Sequence, residues 1–369
     1  MSIEPFAVQL SDDVLADLQA RIRKTRWPDA APVDPWEQGT DLNYLRDLLT
    51  YWAGEFDWRA RERELNEFHH YRVELDGVPI HFVHEKARNG AGIPLILTHG
   101  WPSSFLEYLP LIPLLTDHFD VVIPSLPGYG FSGRPARTGV NYRYVAGLWH
   151  RLMGELGYQR YGAEGGDWGA GAATLLALDV PDSVIGVYVS TPEMDGYRGP
   201  ESRPLSPSEQ AYLAQVGDWD ARERGYSSIQ STKPQTVGYG LNDSPAGLAA
   251  WVLEKWHSWS QHDLDPDFLL TMLTIYWATS SITTSMRDYY DNRWTGVALG
   301  SADFVSVPTG VGVFTGHRVP EGDPPREWYE RLYNVRHWAP MPRGGHFAAV
   351  EEPQLLADDI TAFFTSLTS

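Results

Sequence analysis

Short runs of apolar residues alternate with helical patterns between residues 93 and 189 of the chain. Continuous runs lie at 93–98, 120–124 and 184–189, and residues 161–164 are a further candidate for a short strand. Strands that are apolar on both faces are typical of a parallel sheet with right-handed helical crossovers. Two later runs, at 305–314 and 335–341, and a last helix over 353–367 extend the pattern. The sequence therefore predicts an α/β fold with a mostly parallel central sheet.

The alternation stops between about Gly196 and Trp294, where no strand-like run occurs. Helical patterns dominate this stretch, at 206–213, 244–256 and 267–289. We interpret residues 196–295 as a helical cap inserted into the fold. The core then consists of two pieces, 91–195 and 296–369.

The first 90 residues have a different pattern. Ser11 is a candidate N-cap for a helix that Pro28 ends, and a second helix is predicted over 42–52. From His70 the period changes to two, with a hairpin turn at Asp76-Gly77. We expect residues 1–90 to form a meander packed on the core.

The charge balance excludes several classes of partner. The chain has 48 acidic and 29 basic residues, a net charge of −19, so nucleic-acid phosphates and anionic lipids are repelled. It has no cysteine, which excludes thiolate zinc sites, iron–sulfur clusters and a cysteine nucleophile. The histidine pairs His69-His70 and His257/His262 lack a convincing ligand spacing, so we expect no metal.

Neither a signal peptide nor an apolar run of membrane-spanning length is visible, so we expect a cytoplasmic location. The aromatic content is high, with 15 Trp, 19 Tyr and 13 Phe. Aromatic residues line apolar pockets, which favours a substrate with apolar surface, although a large aromatic core explains the same composition.

The segment Gly165-Gly166-Asp167-Trp168-Gly169 lies between a short predicted strand and a predicted helix. It has the form of a glycine–nucleophile–glycine elbow with Asp167 in the nucleophile position. Flanking glycines permit the tight turn, and the helix N-terminus stabilises the carboxylate. An ordinary glycine turn with a solvated aspartate is the alternative. A phosphate cradle is a weaker one, because Asp167 would repel phosphate.

Two further segments follow predicted strands. His99-Gly100-Trp101-Pro102 is placed to supply one backbone N–H of an oxyanion hole, and Trp168 to supply the other. Arg343-Gly344-Gly345-His346 follows the last strand and offers His346 as a general base. In this order the three segments resemble an α/β-hydrolase with an aspartate nucleophile. Such a nucleophile forms an alkyl ester, so the substrate should be an epoxide or an alkyl halide.

The chain resembles epoxide hydrolases of the microsomal and juvenile-hormone type. We expect a soluble bacterial form, because membrane-bound members carry an N-terminal anchor with which this chain does not start. The motifs that carry the resemblance cover nearly the whole chain: His99–Pro102, Pro127–Ser132, Gly165–Gly169, Thr232–Pro234, Leu241–Pro245, Leu248–Trp251 and Gly344–Ala349.

The resemblance implies two cap tyrosines that donate hydrogen bonds to the epoxide oxygen. By local match they are Tyr226 and Tyr289, although Tyr290 is adjacent to the second. Opening the epoxide ring develops alkoxide charge, which a phenol can stabilise and protonate.

The resemblance also implies an acid just after the penultimate strand, which orients His346. Counted from Phe314, that position holds His317, whereas counted back from Trp328 it falls next to Glu321. We predict Glu321 as the acid, with Asp323 second and Glu193 third. If none of them reaches His346, ester hydrolysis should be slow, because the acid fixes the tautomer and supports the imidazolium.

The sequence thus predicts that Asp167 attacks an epoxide, that His346 activates water, and that a vicinal diol leaves without any cofactor. A homodimer is compatible with the family. A haloalkane dehalogenase is the nearest alternative, since Trp168 also suits halide binding. A non-catalytic protein that binds an apolar ligand is the other, because the acid position is altered.

Overall fold

The computed structural model describes residues 2–368. One nine-stranded sheet runs through this part of the chain, in the order β1-β2-β3-β5-β4-β6-β7-β8-β9. The strands are β1 Glu4–Phe6, β2 His70–Leu75, β3 Val78–Glu85, β4 Ile93–Thr98, β5 Phe119–Pro124, β6 Tyr161–Gly166, β7 Val184–Thr191, β8 Val305–Val313 and β9 Tyr333–Pro340.

The helices divide into those of the N-terminal segment, those around the sheet and those of the lobe. They are α1 Asp12–Arg23, α2 Leu42–Gly54, α3 Trp58–Leu65, α4 Ile112–Leu115, α5 Tyr142–Glu155, α6 Trp168–Asp179, α7 Pro207–Glu223, α8 Gly225–Gln230, α9 Pro234–Asp243, α10 Pro245–Trp259, α11 Pro266–Thr279, α12 Ile282–Thr295, α13 Arg326–Tyr329, α14 Ala348–Glu351 and α15 Pro353–Ser366, with a 3₁₀ helix at Phe105–Leu111.

The sheet is parallel from β5 to β9, as the continuous apolar runs predict. β4 and β5 are buried along most of their length, and α6 packs across β4, β6, β7 and β8. Because the carboxyl ends of parallel strands lie at one edge, the loops after them come together there. The three predicted catalytic segments all follow strands of this group.

The N-terminal segment contributes both strands and helices. β1, β2 and β3 extend the central sheet as antiparallel strands, so residues 70–85 share their sheet with the core. Helix α1 begins after Ser11, whose side chain accepts from the Val14 N–H as expected. Neither β1 nor α3 was expected from the sequence. The division of the chain at residue 90 stays a prediction.

Side chains of the N-terminal segment are bonded to the lobe. Trp52 donates its indole N–H to Thr274 at 2.9 Å, and the Tyr51 hydroxyl donates to Asp267 at 2.7 Å. The Thr40 hydroxyl donates to the carbonyl of Ala250 at 2.6 Å. The N-terminal segment therefore holds α10 and α11 in place by side-chain hydrogen bonds.

The lobe comprises α7 to α12, inserted between β7 and β8 as predicted. The expectation of one continuous helical stretch over 267–289 is wrong. The chain breaks between α11 and α12 at Ser280, which has a left-handed backbone with φ 50°. Glycine or asparagine usually occupies such a helix end, so a serine gives little warning of the break. Among residues 2–368, no helix is sufficiently long and apolar to cross a membrane.

Candidate active site

Asp167 lies at the turn between β6 and α6. Its φ of 51° places a non-glycine residue in the left-handed region, which costs conformational energy and is common at functional sites. Close packing enforces the turn, since a Cβ on Gly165 would lie 2.3 Å from the Gly169 carbonyl carbon. A Cβ on Gly169 would lie only 1.8 Å from the Thr98 carbonyl oxygen. The glycines that the sequence analysis singled out are therefore needed sterically.

One oxygen of the Asp167 carboxylate accepts two backbone hydrogen bonds. Oδ1 lies 2.9 Å from the Trp101 N and 2.7 Å from the Trp168 N. The Gly100 backbone passes so close that a Cβ there would lie 2.4 Å from Oδ1. Burial raises the pKa of Asp167 to about 6, against the two N–H groups, which lower it. The predicted oxyanion-hole donors thus contact the nucleophile itself.

The other oxygen, Oδ2, faces His346. The His346 Nε2 lies 3.6 Å from Oδ2, and the two side chains are 12% and 14% exposed. Burial lowers the pKa of His346 to about 3, so the ring is a neutral imidazole at neutral pH. The contact is therefore one between a base and a carboxylate rather than an ion pair.

The loop that carries His346 is fixed by backbone contacts. Its N–H donates to the Trp259 carbonyl at 2.9 Å, and the Trp259 ring lies 4.9 Å from the imidazole. The Gly345 N–H donates to Glu351 at 3.1 Å. Trp259 was not predicted from the sequence, because no local pattern connects the end of α10 with a loop 87 positions later.

Two tyrosine rings from the lobe line the same cavity as the Asp167 carboxylate. Tyr226 of α8 stacks on Trp101 with centroids 5.5 Å apart, and Tyr289 of α12 meets the edge of Trp168 at 4.5 Å. Their own centroids are 5.9 Å apart. Burial and the negative charge of Asp167 raise the pKa of both phenols well above the usual range, so both keep their protons. Tyr290 instead lies on the surface, 38% exposed.

The structure does not bring a predicted acid to His346. Glu321 points at Arg224, with 3.4 Å between its Oε1 and a guanidinium nitrogen. Glu193 accepts a hydrogen bond from the Tyr142 hydroxyl at 2.7 Å. Within residues 2–368, no carboxylate oxygen forms a hydrogen bond with the imidazole of His346. The ring that lies beside it is His317, with centroids 6.2 Å apart.

These groups line one cavity of about 640 Å³. Its lining includes Asp167 and His346 together with the rings of Trp168, Tyr226, Trp259 and Tyr289. Polar and charged side chains also line it: Tyr142, Glu193, Arg224, Arg293, Glu321 and Asp323. The cavity is therefore lined by aromatic rings, as the aromatic content indicates, and also by polar and charged groups. Tyr142 was also missed, since a tyrosine at the start of a helix carries no distinctive signal.

The remaining histidines lie outside this cavity. His70 and His81 are buried, and His70 Nδ1 lies 2.9 Å from His81 Nε2. The His257 ring stacks on Trp36 at 3.7 Å. Across the described residues 2–368, no group of three or more His, Asp or Glu side chains is arranged to hold a metal ion.

Two family models match the chain: the epoxide hydrolase N terminus over residues 3–108 and the alpha/beta hydrolase fold over residues 93–228. The chain is 36% identical to epoxide hydrolase 1 of Sus scrofa, an alignment that covers 98% of this chain and 88% of the relative. The juvenile hormone epoxide hydrolase of the silkworm Bombyx mori superposes with a TM-score of 0.86 at 32% identity, covering 100% of this chain and 94% of that chain. An Aspergillus niger epoxide hydrolase gives a TM-score of 0.88 at 29% identity, covering 100% and 97%.

Proposed function

The chain belongs to the epoxide hydrolases of the microsomal and juvenile-hormone type, and we propose that it forms a vicinal diol through an alkyl ester on Asp167. The division of labour between the two Asp167 oxygens is the observation that carries this proposal. Oδ1 is held by two N–H donors, while Oδ2 faces His346 and the cavity. Oδ2 is therefore the nucleophilic atom.

In the first step Oδ2 attacks an epoxide carbon, and the carbon–oxygen bond of the ring breaks. The leaving oxygen develops alkoxide charge and takes a proton from Tyr226 or Tyr289. Their raised pKa keeps both phenols protonated until that charge appears. The product of this step is a hydroxyalkyl ester on Asp167.

In the second step His346 Nε2 removes a proton from water, and the water oxygen attacks the ester carbonyl carbon. Oδ1 becomes the oxyanion, and the N–H groups of Trp101 and Trp168 already point at that atom. The bond between the carbonyl carbon and Oδ2 breaks, and the departing diol alkoxide takes the proton from His346. The second proton of the water, now on the Asp167 carboxylic acid, passes to the tyrosinate and restores the carboxylate and the phenol. No metal or organic cofactor enters this scheme.

A trapping experiment tests the scheme. His346→Gln removes the base, so incubation with styrene oxide should leave a covalent adduct on the Asp167 peptide, detectable by mass spectrometry. The Asp167→Asn/His346→Gln double variant is the matched control and should stay unmodified. An unmodified Asp167 peptide in the single variant, with diol formation by the unmutated chain, would contradict the ester.

The unmutated chain also tests the two alternative functions, a haloalkane dehalogenase and a non-catalytic binding protein. Incubation of the unmutated chain with a 1-bromoalkane should release no bromide, whereas a haloalkane dehalogenase would. A non-catalytic binder would yield neither diol nor adduct. A cytoplasmic location and a homodimer stay predictions.

A further inference from the structure

Lys255 is a buried basic residue on helix α10 of the lobe, with 3% of its surface exposed. Its Nζ forms an ion pair with Glu254 Oε2 at 2.7 Å, and the other oxygen of Glu254 accepts from the Ser258 hydroxyl at 3.0 Å. In the described part of the chain, Lys255 does not line the catalytic cavity. No step of the proposed ester mechanism involves this ammonium.

The ammonium lies over the ring of Tyr226, one of the two tyrosines that line the cavity of Asp167. Nζ is 4.6 Å from the centroid of that ring and 5.7 Å from the centroid of the Trp259 ring. Lys255 and Trp259 are four residues apart, so they share one face of α10. The Trp259 ring itself meets the Tyr226 ring at 5.5 Å. Tyr226 therefore contacts both a cation and an indole of α10.

An ammonium in the protein interior costs free energy, because it leaves the water that solvates it. One carboxylate and two ring faces offset part of this cost, since the electron-rich face of an aromatic ring attracts a cation. An uncharged side chain of similar length, such as that of methionine, would fill the same space without the cost. The position therefore favours a role for the charge of Lys255 and not for its volume alone.

That charge has a use in the first half of the reaction. When the epoxide opens, the Tyr226 hydroxyl can give its proton to the departing oxygen, which leaves a phenolate. The negative charge of a phenolate spreads into its ring, so a cation over the ring stabilises the phenolate more than the neutral phenol. Tyr289 instead meets the rings of Trp101 and Trp168 edge to face, at 5.6 Å and 4.5 Å. The two tyrosines are therefore not equivalent.

The electrostatic surroundings of the two phenols differ in the same direction. Burial raises the pKa of Tyr226, as does the charge of Asp167, whereas the Tyr289 hydroxyl, as a hydrogen-bond donor, lowers it. Burial raises the pKa of Tyr289, and the proximity of Tyr226 raises it further. Tyr226 is accordingly the phenol whose anion is better supported.

We infer that Lys255 is the positioning residue of Tyr226, and that it speeds alkylation of Asp167 by stabilising the phenolate left when Tyr226 gives its proton to the epoxide oxygen. In that step the bond between Oδ2 and carbon forms, the carbon–oxygen bond of the ring breaks, and the proton moves from the Tyr226 oxygen to the departing oxygen. Tyr289 donates a hydrogen bond and keeps its proton. The inference rests on the proposed ester mechanism.

A first test measures alkylation alone. In the His346→Gln background, adduct formation with styrene oxide can be timed by acid quenching and mass spectrometry of the Asp167 peptide. Lys255→Met should slow it by ~10-fold, because the phenolate loses its cation. Lys233→Met, at an exposed lysine of the same lobe, is the matched control and should have no effect. An unchanged rate in folded Lys255→Met would overturn the inference.

A double-mutant cycle separates this role from a structural one. In the Tyr289→Phe background, Lys255→Met should still slow adduct formation by ~10-fold, since Tyr226 remains. In the Tyr226→Phe background it should slow it by less than ~2-fold, because no phenolate forms beside the ammonium. Losses of equal size in both backgrounds would mean that Lys255 merely supports the fold of the lobe, and would overturn the inference.

Removal of Lys255 also leaves Glu254 without its cation, which the Lys255→Met/Glu254→Gln double variant corrects. This double variant should be as slow as Lys255→Met, because the Tyr226 ring still lacks a cation. Recovery of the normal rate would show that the unpaired carboxylate caused the loss, and would overturn the inference.

The failures of the two proposals are distinguishable. If His346→Gln forms no adduct, the ester mechanism fails and the role of Lys255 fails with it. If His346→Gln forms the adduct equally fast with and without Lys255→Met, the ester mechanism stands and only the role of Lys255 is rejected.

Discussion

The proposed nucleophile, Asp167, and the proposed base, His346, meet in one 3.6 Å contact, yet different kinds of structure hold them. Asp167 is fixed by a forced turn and by two backbone N–H donors. His346 is fixed by its own main chain and by aromatic rings, and among residues 2–368 Asp167 is the one carboxylate within ion-pair distance of its imidazole. Backbone contacts survive changes of side chain, whereas an orienting acid can be lost by one substitution. The structure therefore fixes the group proposed for alkylation, Asp167, more firmly than the group proposed for ester hydrolysis, His346.

The largest effect should follow from removal of the nucleophilic charge. Asp167→Asn keeps the size of the side chain but cannot attack the epoxide, so diol formation should fall by ~10⁴-fold or more. Single-turnover diol assays measure this. Asp179→Asn, at the other end of α6, is the control and should retain full activity. Undiminished diol formation by Asp167→Asn would show that this carboxylate is not the nucleophile.

The oxyanion side can be disturbed without touching a polar side chain. In Gly100→Ala the new Cβ would lie 2.4 Å from Asp167 Oδ1, so the hydrogen bond from the Trp101 N–H must be distorted. We expect kcat to fall by ~10²–10³-fold, as for loss of an oxyanion-hole donor. Gly147→Ala in α5 meets nothing within 4 Å and should leave kcat unchanged. Near-normal kcat in folded Gly100→Ala would show that this bond contributes little.

The two tyrosines should act on alkylation and not on hydrolysis. Tyr226→Phe and Tyr289→Phe each remove one donor to the departing oxygen, and each should slow alkylation by ~10²-fold. The rate of adduct formation in the His346→Gln background measures this step alone. Tyr290→Phe, on the exposed side of α12, is the matched control. A larger loss from Tyr290→Phe than from Tyr289→Phe would shift the assignment by one residue.

The smallest effect is a pH dependence of alkylation. Burial raises the pKa of Asp167 to about 6, and the protonated acid cannot attack. The alkylation rate of His346→Gln should therefore be constant above this pH and fall as the pH drops through it, to ~10-fold lower at pH 5. Stopped-flow tryptophan fluorescence can follow the reaction. A rate that stays constant down to pH 4.5 would contradict a raised pKa.

The parts of the molecule that depend on local pattern were predicted from the sequence. The apolar runs predicted the parallel strands β4, β5 and β7, and the glycines around Asp167 predicted the elbow, because one turn has few steric solutions. The break at Ser280 was missed, because tertiary packing imposes a left-handed backbone there on a residue that does not favour it. The local sequence predicts a backbone conformation only where the residue types present permit a single conformation.

The surroundings of His346 show the same limit at the site. Nothing near Glu321 in the sequence indicates that Arg224, 97 positions earlier, contacts its carboxylate. Trp259, whose carbonyl accepts the His346 N–H, likewise lies far away along the chain. Long-range pairings of this kind depend on how the lobe is seated on the sheet, which no local pattern records.

The hydrogen bonds from Thr40, Tyr51 and Trp52 to α10 and α11 have a consequence for any shortened version of this enzyme. Helix α10 ends at Trp259, whose ring packs against the imidazole of His346. Deleting residues 2–65 would therefore displace Trp259, although none of the deleted residues lines the catalytic cavity. A minimal catalyst cut from this chain would therefore have to keep its first helices, or replace them with another scaffold that presses on the same side of the lobe.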